Sequence, residues 1–486
     1  MSLSVALISS EALPYSKTGG LADVAGSLSR ALLGLGHDVA LILPFHRETR
    51  LKKIKAKSTG IFLKIPVKDA LCTAEVLIAR ENGLKVYFIK NDEYFDRAHL
   101  YTTPDGDYHD NLERFSFFSR AALQALKALK NPVDILHLND WQTGLVAAYI
   151  KEARHAEPFF LKTKTVFTVH NIAYQGLFPG QAFYATGLSP QFFSQDGIEF
   201  WGKVSLLKAG LVYSDVINTV SPAYGKEIQT PEYGCGLEGL LIKRSADLYG
   251  ILNGIDYEEW NPETDKLLPE RYSSRDLSGK GACKKGLLKK FGLKAPASAA
   301  VVGMVARLTE QKGIDLLPAA FEGLQDLNAV FAILGSGDKR YEDLVKGIEK
   351  TYPLKVSVRL AFDNALAHLV EAGSDIFIMP SRFEPCGLNQ IYSLRYGTIP
   401  VVRAIGGWND TVKDLDEAGQ TATGFKFTEY APDAFEKRVK DAVHVYHDNP
   451  ELWRKMQDNA MKEVFSWETS ARQYTGLYNI ALKKPA

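Results

Sequence analysis

The chain is poor in cysteine and carries no excess of either charge. Four cysteines, Cys72, Cys235, Cys283 and Cys386, are scattered through 486 residues with no Cys-x-x-Cys pair. That excludes a disulfide scaffold and a thiolate zinc site, and fits free thiols in a reducing, cytoplasmic setting. Lys and Arg number 58 against 57 Asp and Glu, a formal net charge of +1. A chain this balanced has no global field to draw in nucleic acid or an anionic membrane, so any phosphate must be held by a local cluster of donors. No apolar run approaches the roughly 20 residues that span a bilayer. The N-terminal run Val5–Ile8 reaches Glu11 without a basic segment before it, and no signal peptide is expected. Internal repeats and low-complexity tracts are also missing.

What is present is an alternation of short β-branched runs with longer helical patterns. Val5–Ile8 reads as a strand; a Gly-Gly turn follows, and then Leu21, Val24, Ala25, Leu28 and Leu32 form one stripe of a helix with Gly36 just past its end. Val39–Leu43, Val86–Ile89, Val133–Leu138, Thr165–Val169 and Val216–Val220 read as further strands, with helical stretches at Phe115–Leu129 and Thr143–Ala153. From Asn253 to about Lys284 the sequence is polar and turn-rich. The alternation resumes at Ala299–Val305, Val330–Leu334, Val356–Leu360, Asp375–Met379 and Ile399–Val402, and from Ala431 to about Leu482 it gives way to consecutive helices. The pattern predicts an α/β chain of two doubly wound domains facing each other across a cleft, with a boundary near residue 254. The expected domains are residues 1–253, joined by a terminal helix at about 467–486, and residues 254–466.

Ligands of open α/β sheets sit outside the carboxyl ends of the strands, so the loops there are where chemistry is expected. Lys17-Thr18-Gly19-Gly20-Leu21 joins the first strand to the first helix. Its glycines let the backbone approach a ligand, and the helix end and Lys17 suit an anion, although a tight turn with a solvated lysine is the equal alternative. The loop is neither a P-loop nor a dinucleotide fingerprint. Arg307-Leu308-Thr309-Glu310-Gln311-Lys312-Gly313 brackets one strand-end turn with two cations, enough to grip a diphosphate, though alone they also read as ordinary surface charges. The strongest signal is Pro380 to Gln390. Glu384 precedes a Pro–Gly loop that opens a helix near Gly387, so the N–H groups of Gly387 and Leu388 are candidates for a phosphate while the carboxylate faces sugar hydroxyls. Helix capping is the lesser alternative for Glu384, and Cys386 reads as a buried neighbour. His170-Asn171 and Asn139-Asp140-Trp141 follow strands of the first domain. Gly335-Ser336-Gly337-Asp338 is a weak nucleotide signal.

Together, Lys17 to Val24, His170 to Gly176, Asn253-Gly254-Ile255-Asp256, Arg307 to Gly313 and Ser381 to Leu388 resemble the bacterial glycogen synthase and plant starch synthase family. The motifs stand in the family's order and cover nearly the whole chain. The resemblance implies a GT-B fold and transfer of glucose from ADP-glucose to the non-reducing end of an α-1,4-glucan, glycogen or a maltooligosaccharide. It also implies retention of configuration, with no metal and no cofactor. By the same resemblance Lys17, Gly19, Gly20 and Asp23 contact substrate. Arg307 and Lys312 neutralise the departing diphosphate, Glu384 holds the glucose hydroxyls, and His170 lies beside the reacting sugar. Asp140, Trp141, Asn171 and Asn253 line the site in the acceptor-side domain, and Cys386, Gly387 and Leu388 line it in the donor-side domain. Phe362 stands where the family often has Tyr, and is placed to stack on the base. Tyr392 occupies the position, eight residues after Glu384, where the wider retaining group has a second Glu.

Glucosyl transfer builds negative charge on the departing nucleotide, and fixed cations aimed at that charge suit it. The sequence leaves open whether Glu384 forms a covalent intermediate or the acceptor enters on the leaving-group face. A nicotinamide dehydrogenase would share the doubly wound pattern, but its glycine fingerprint and downstream ribose-binding acid are absent. A transferase preferring UDP-glucose and a catalytically silent glucan-binding homologue are the nearer rivals. No nucleic-acid or membrane partner is expected.

Overall fold

The computed structural model describes residues 2–103, 106–153 and 157–485. The chain divides into two compact units. One holds the described residues up to Val220, Gly225–Gly254 and the segment from Trp467 onward; the other holds Ser221–Tyr224 and Ile255–Ser466.

The first unit is built on a nine-stranded sheet. In space its strands run Leu248–Gly250, Val216–Thr219, Lys164–Val169, Ile135–Asn139, Ser4–Ile8, Asp38–Pro44, Leu84–Lys90, Ala70–Glu81 and Lys57–Val67. The first seven are parallel, and the strand order reverses between Ser4–Ile8 and Ile135–Asn139. The central strands are buried on both faces, which is why Ser4–Ile8 and Asp38–Pro44 read as continuous apolar runs. The helices Gly20–Gly34 and Trp467–Lys483 pack on this sheet, placing Leu28, Leu32, Tyr474, Leu477 and Tyr478 in one core with Val5, Leu7 and Leu41. Each large apolar side chain so buried contributes about 1.5–3 kcal/mol. The last helix is also bonded in: Tyr478 Oη lies 2.8 Å from His137 Nδ1, and Asn218 Nδ2 donates to Tyr474 Oη at 3.1 Å.

The second unit has six parallel strands in the spatial order Val356–Leu360, Ala329–Gly337, Ala300–Leu308, Ile376–Met379, Ile399–Arg403, Phe425–Phe427. Numbered along this unit, the order is 3-2-1-4-5-6, that of a dinucleotide-binding sheet. Its reversal lies between Ala300–Leu308 and Ile376–Met379. Each unit is thus Rossmann-like.

Two features depart from the sequence reading. Lys57–Val67 and Ala70–Glu81 form an antiparallel hairpin on the edge of the first sheet. One face of the edge strand is solvated and lysine-bearing, which hides it from a search for buried runs. Helix Ser278–Phe291 begins inside the stretch read as turn-rich. It has no side-chain cap and carries three glycines, so local propensity argues against it; burial of Cys283, Leu287 and Phe291 overrides that. All four cysteines are free, and among the described residues no helix is long and apolar enough to cross a membrane.

Candidate active site

In the first unit the loops at the strand-order reversal gather around buried carboxylates. Glu11, two per cent exposed, follows the strand Ser4–Ile8. Its carboxylate accepts from the backbone N–H of Thr18 and from Thr18 Oγ1 at 2.8 Å, fixing the Lys17–Gly20 turn from beneath. Burial raises its pKa. Lys17 Nζ forms an ion pair with Asp23 Oδ1 at 2.8 Å, which spans the turn and the first turn of the helix Gly20–Gly34. Gly19 and Gly20 have open space where a side chain would stand, so the loop backbone is approachable there.

Across the reversal, Asp140 follows the strand Ile135–Asn139 with φ +55, a left-handed conformation uncommon for a residue with a side chain. Its Oδ1 accepts from the backbone N–H of His170 at 2.7 Å. Burial, with the nearby Glu11 charge adding, pushes its carboxyl up to about 7. His170 Nε2 lies 3.0 Å from Asn139 Oδ1, and burial pushes its imidazole down to about 3, so it is neutral at working pH. Tyr101 Oη shares a 2.7 Å hydrogen bond with Ser10 Oγ. Asn171 is half-buried, with its side-chain oxygen accepting from Ala173 N at 3.0 Å. Trp141 packs its ring against Phe115, Tyr101 and Phe178, the nearest centroid at 4.9 Å, and is eight per cent exposed. Asn253 is buried, and its side-chain oxygen has no hydrogen-bond partner among the described residues.

In the second unit the two loops at the strand-order reversal are Thr309–Gly313 and Pro380–Leu388. Lys312 Nζ pairs with Glu384 Oε2. Arg382 N donates to Gln311 O at 2.8 Å and Gln311 Nε2 to Phe383 O at 3.2 Å, zipping the loops together. Gly313 has φ +69, and a side chain there would strike the Pro380 carbonyl; Gly406, at φ +48, would strike the carbonyl of Glu384 itself. The carboxylate thus sits on backbone that glycine alone permits. Helix Asn389–Arg395 has no side-chain cap, so Glu384 is a partner of Lys312 and does not cap.

Gly387, at φ +69, and Leu388 precede that helix, and their N–H groups donate to no described residue. Cys386 is buried, with its carbonyl accepting from Gln390 Nε2 at 3.1 Å. Arg307 is exposed at the end of its strand, and its guanidinium makes no ion pair or hydrogen bond with another described residue. Phe362, after the strand Val356–Leu360, is 94% exposed.

The structure therefore brings Lys17, Gly19, Gly20 and Asp23 together in one loop, and Asp140 and His170 in another cluster of the same unit. In the second unit it brings together Lys312, Glu384 and the Cys386–Leu388 turn. Asn139, expected beside Asp140 from its strand-end position, belongs with His170, whereas Glu11, which holds the Thr18 turn, and Tyr101 were not singled out in the sequence. Glu11 had one usable signal, its place just after a strand at the carboxyl edge. Among the described residues no group of three or more His, Cys, Asp or Glu side chains is set to hold a metal ion.

Residues 4–243 match the family model described as starch synthase catalytic domain, and residues 288–463 match glycosyl transferases group 1. The chain is 46% identical over 477 residues to a glycogen synthase of Koribacter versatilis, covering 98% of each chain. To a glycogen synthase of Thermosipho africanus it is 44% identical over 491 residues, covering 99% of this chain and all of the relative. Among solved structures it is similar to the catalytic domain of starch synthase IV from Arabidopsis thaliana, bound to ADP and acarbose. There the TM-score is 0.88 at 33% identity, over 99% of this chain and 100% of that one. A sucrose-phosphate synthase of Thermosynechococcus elongatus, at 18% identity and TM-score 0.60, shares the fold.

Proposed function

The chain belongs to the glycogen synthase and starch synthase family of glycosyltransferases, and from that premise we propose that it moves glucose from ADP-glucose to the non-reducing end of an α-1,4-glucan with retention of configuration. The observation that carries the reading is the Lys312–Glu384 pair at the strand-order reversal of the second unit, with the Arg307 guanidinium unpartnered at the end of the neighbouring strand. The ADP in the starch synthase IV structure supports an adenine nucleotide as the leaving group.

In this reading the bond between glucose C1 and the diphosphate oxygen breaks while C1 bonds to O4 of the acceptor's terminal glucose, whose hydroxyl proton leaves to the departing diphosphate or to solvent. Arg307, by its fork, and Lys312, as a point charge, stabilise the negative charge on the departing ADP. The free N–H groups of Gly387 and Leu388 add donors to the same phosphates, with Cys386 packed beneath them. Glu384 accepts from glucose hydroxyls, and its ion pair with Lys312 orients it. Lys17, Gly19 and Gly20 contact substrate, with Asp23 holding Lys17 in place. The neutral His170 donates or accepts at the reacting sugar, where an imidazolium would oppose the positive charge growing on the ring. Asp140, Asn171 and Asn253 hold sugar hydroxyls, Trp141 backs them, and Phe362 stacks on the base. The first unit takes the acceptor and the second the nucleotide. Free thiols and a sugar-nucleotide donor fit a cytoplasmic enzyme.

The test is incorporation of labelled glucose into glycogen from ADP-glucose and, separately, from UDP-glucose, with the anomeric configuration of the new linkage read by NMR. Preferential use of ADP-glucose with an α-linkage is expected. Preference for UDP-glucose would overturn the donor assignment, and no incorporation from either would leave a glucan-binding homologue. Mass-spectrometric trapping of a glucosyl-enzyme at Glu384 distinguishes a covalent route from one in which the acceptor enters on the leaving-group face.

A further inference from the structure

In the first unit a short antiparallel sheet joins Leu177–Pro179, Lys203–Ser205 and Glu199–Phe200. The hairpin between the last two turns through Trp201 and Gly202, at φ +51 and +76. Two successive left-handed residues are the geometry for which Asn-Gly is favoured, and a bulky side chain resists the first position. The indole is nevertheless 83% exposed; among the described large apolar side chains only Phe362 is more so. Its ring contacts Phe200, centroids 6.4 Å apart, and its Nε1–H donates to no described residue.

The tip is also braced by its neighbours. Gly202 N donates to Glu199 Oε1 at 2.6 Å. Gly236, at φ +82, lies beside the two rings: a Cβ there would be 3.0 Å from Phe200 and 3.8 Å from Trp201 Nε1. A strained turn that presents a bare ring gains nothing within its own unit.

The turn is continuous with the His170–Asn171 loop. Tyr174, 56% exposed, donates its backbone N–H to Asn171 O at 3.2 Å. The next residue, Gln175, sends Nε2 to Cys235 O at 2.9 Å, tying that loop to the Cys235–Gly236 turn beside Trp201. Leu206 N, just beyond the hairpin, donates to Gly176 O at 3.1 Å.

We propose that Trp201, with Tyr174, is a stacking platform for glucose units of the acceptor chain remote from its reacting end. The proposal rests on the glucan-acceptor reading above. A pyranose offers a flat C–H face to an aromatic ring and hydroxyls to a free indole N–H. An α-glucan repeats that face along its length, so a platform away from the reacting sugar adds affinity for long acceptors and none for short ones.

The experiment compares Trp201→Ala, Trp201→Asn and Trp201→Tyr with the wild type. It reads KM for glycogen and for maltotriose at saturating ADP-glucose, isothermal titration with maltoheptaose, and Tm. In Trp201→Ala the KM for glycogen and the Kd for maltoheptaose rise on the order of tenfold, while the KM for maltotriose moves less than twofold. Trp201→Tyr recovers most of the loss. Trp201→Asn loses long-chain affinity as Ala does, yet holds or gains Tm, because Asn tolerates the left-handed turn. Equal losses for glycogen and maltotriose would overturn the platform, as would an unchanged Kd for maltoheptaose. A dimer dissociated by Trp201→Ala with the glycogen KM unmoved would assign the ring to a second copy of the chain. Should the wild type bind maltoheptaose through Trp201 and transfer no glucose, the transferase reading falls and the platform stands.

Discussion

At the strand-order reversal of the first unit the ionisable groups are buried or half-buried and driven toward neutrality: Glu11 and Asp140 upward, His170 downward. At that of the second unit the groups are charged and partly exposed, with Lys312 paired to Glu384 and Arg307 open to solvent. The same strand order thus supports two electrostatic settings. Hydrogen-bonding groups whose charged forms burial disfavours suit the hydroxyls of an uncharged sugar chain. Cations suit a phosphate, whose own charge repays their desolvation when it binds. The fold supplies the address, and burial decides the chemistry delivered there.

The largest expected effect breaks the second setting. Arg307→Ala and Lys312→Ala are each expected to lower kcat by on the order of 10²–10³, measured as glucose incorporation at saturating acceptor. Lys312→Ala also strands Glu384 without its partner, so adding Glu384→Gln to Lys312→Ala should cost less than the sum of the two single losses. Strict additivity would show that the pair does not act as a unit. Next come the glycines that seat the pair. Gly313→Ala and Gly406→Ala combine a left-handed φ with a collision against backbone carbonyls, and each should cost about 2–4 kcal/mol, read as a fall in Tm and in urea midpoint. Unchanged stability in either would show that the loop can shift to accept a side chain.

A smaller effect probes the first setting through pH. In an unfolded chain Asp140 would titrate near ~3.9, whereas in the fold it titrates at about 7. Between those values the folded protein binds the proton more tightly than the unfolded chain, so this residue's contribution makes wild-type stability fall as pH rises through that window. An asparagine in its place has no charge to bury, meets the same backbone strain as the aspartate and keeps an oxygen for the His170 N–H. Asp140→Asn should therefore gain on the wild type from about pH 4 to 7, by up to a few kcal/mol, and hold the gap above that. A gap that stays flat or narrows across the window would mean that Asp140 is ionised in the fold without cost.

These tests also mark how far the sequence could be read. The two parallel sheets were visible because strands buried on both faces are apolar throughout, and the strand-end rule pointed to the loops at Lys17, His170, Arg307 and Glu384 from spacing alone. The lysine-rich hairpin 57–81 was not visible, since half of it faces water. Nor was the Lys312–Glu384 pair, whose members stand 72 residues apart and meet only because two sheet neighbours are distant in sequence. Glu11 looked like an ordinary polar residue after a strand; only the fold reveals that Thr18 returns to cover it. Trp201 was hidden for the opposite reason. Aromatic residues in an aromatic-rich stretch suggest core, and only the backbone conformation shows this one turned outward at a strained tip.

The smallest effect separates two kinds of exposed ring. Phe362 is 94% exposed at the carboxyl edge of the second sheet, and no stability is expected to depend on it, so Phe362→Ala should leave Tm within about a degree. If it stacks on the adenine, losing the ring removes about 1 kcal/mol of donor binding, the low end for a base on an aromatic side chain. The KM for ADP-glucose then rises about fivefold with kcat held, since stacking on the base is the same in ground and transition states. The KM for glycogen should not move, which is the reverse of the pattern expected for Trp201. An enzyme whose donor KM ignores the loss of this ring binds its base elsewhere, and the contrast between a nucleotide-side and a glucan-side aromatic would then have to be drawn from Trp201 alone.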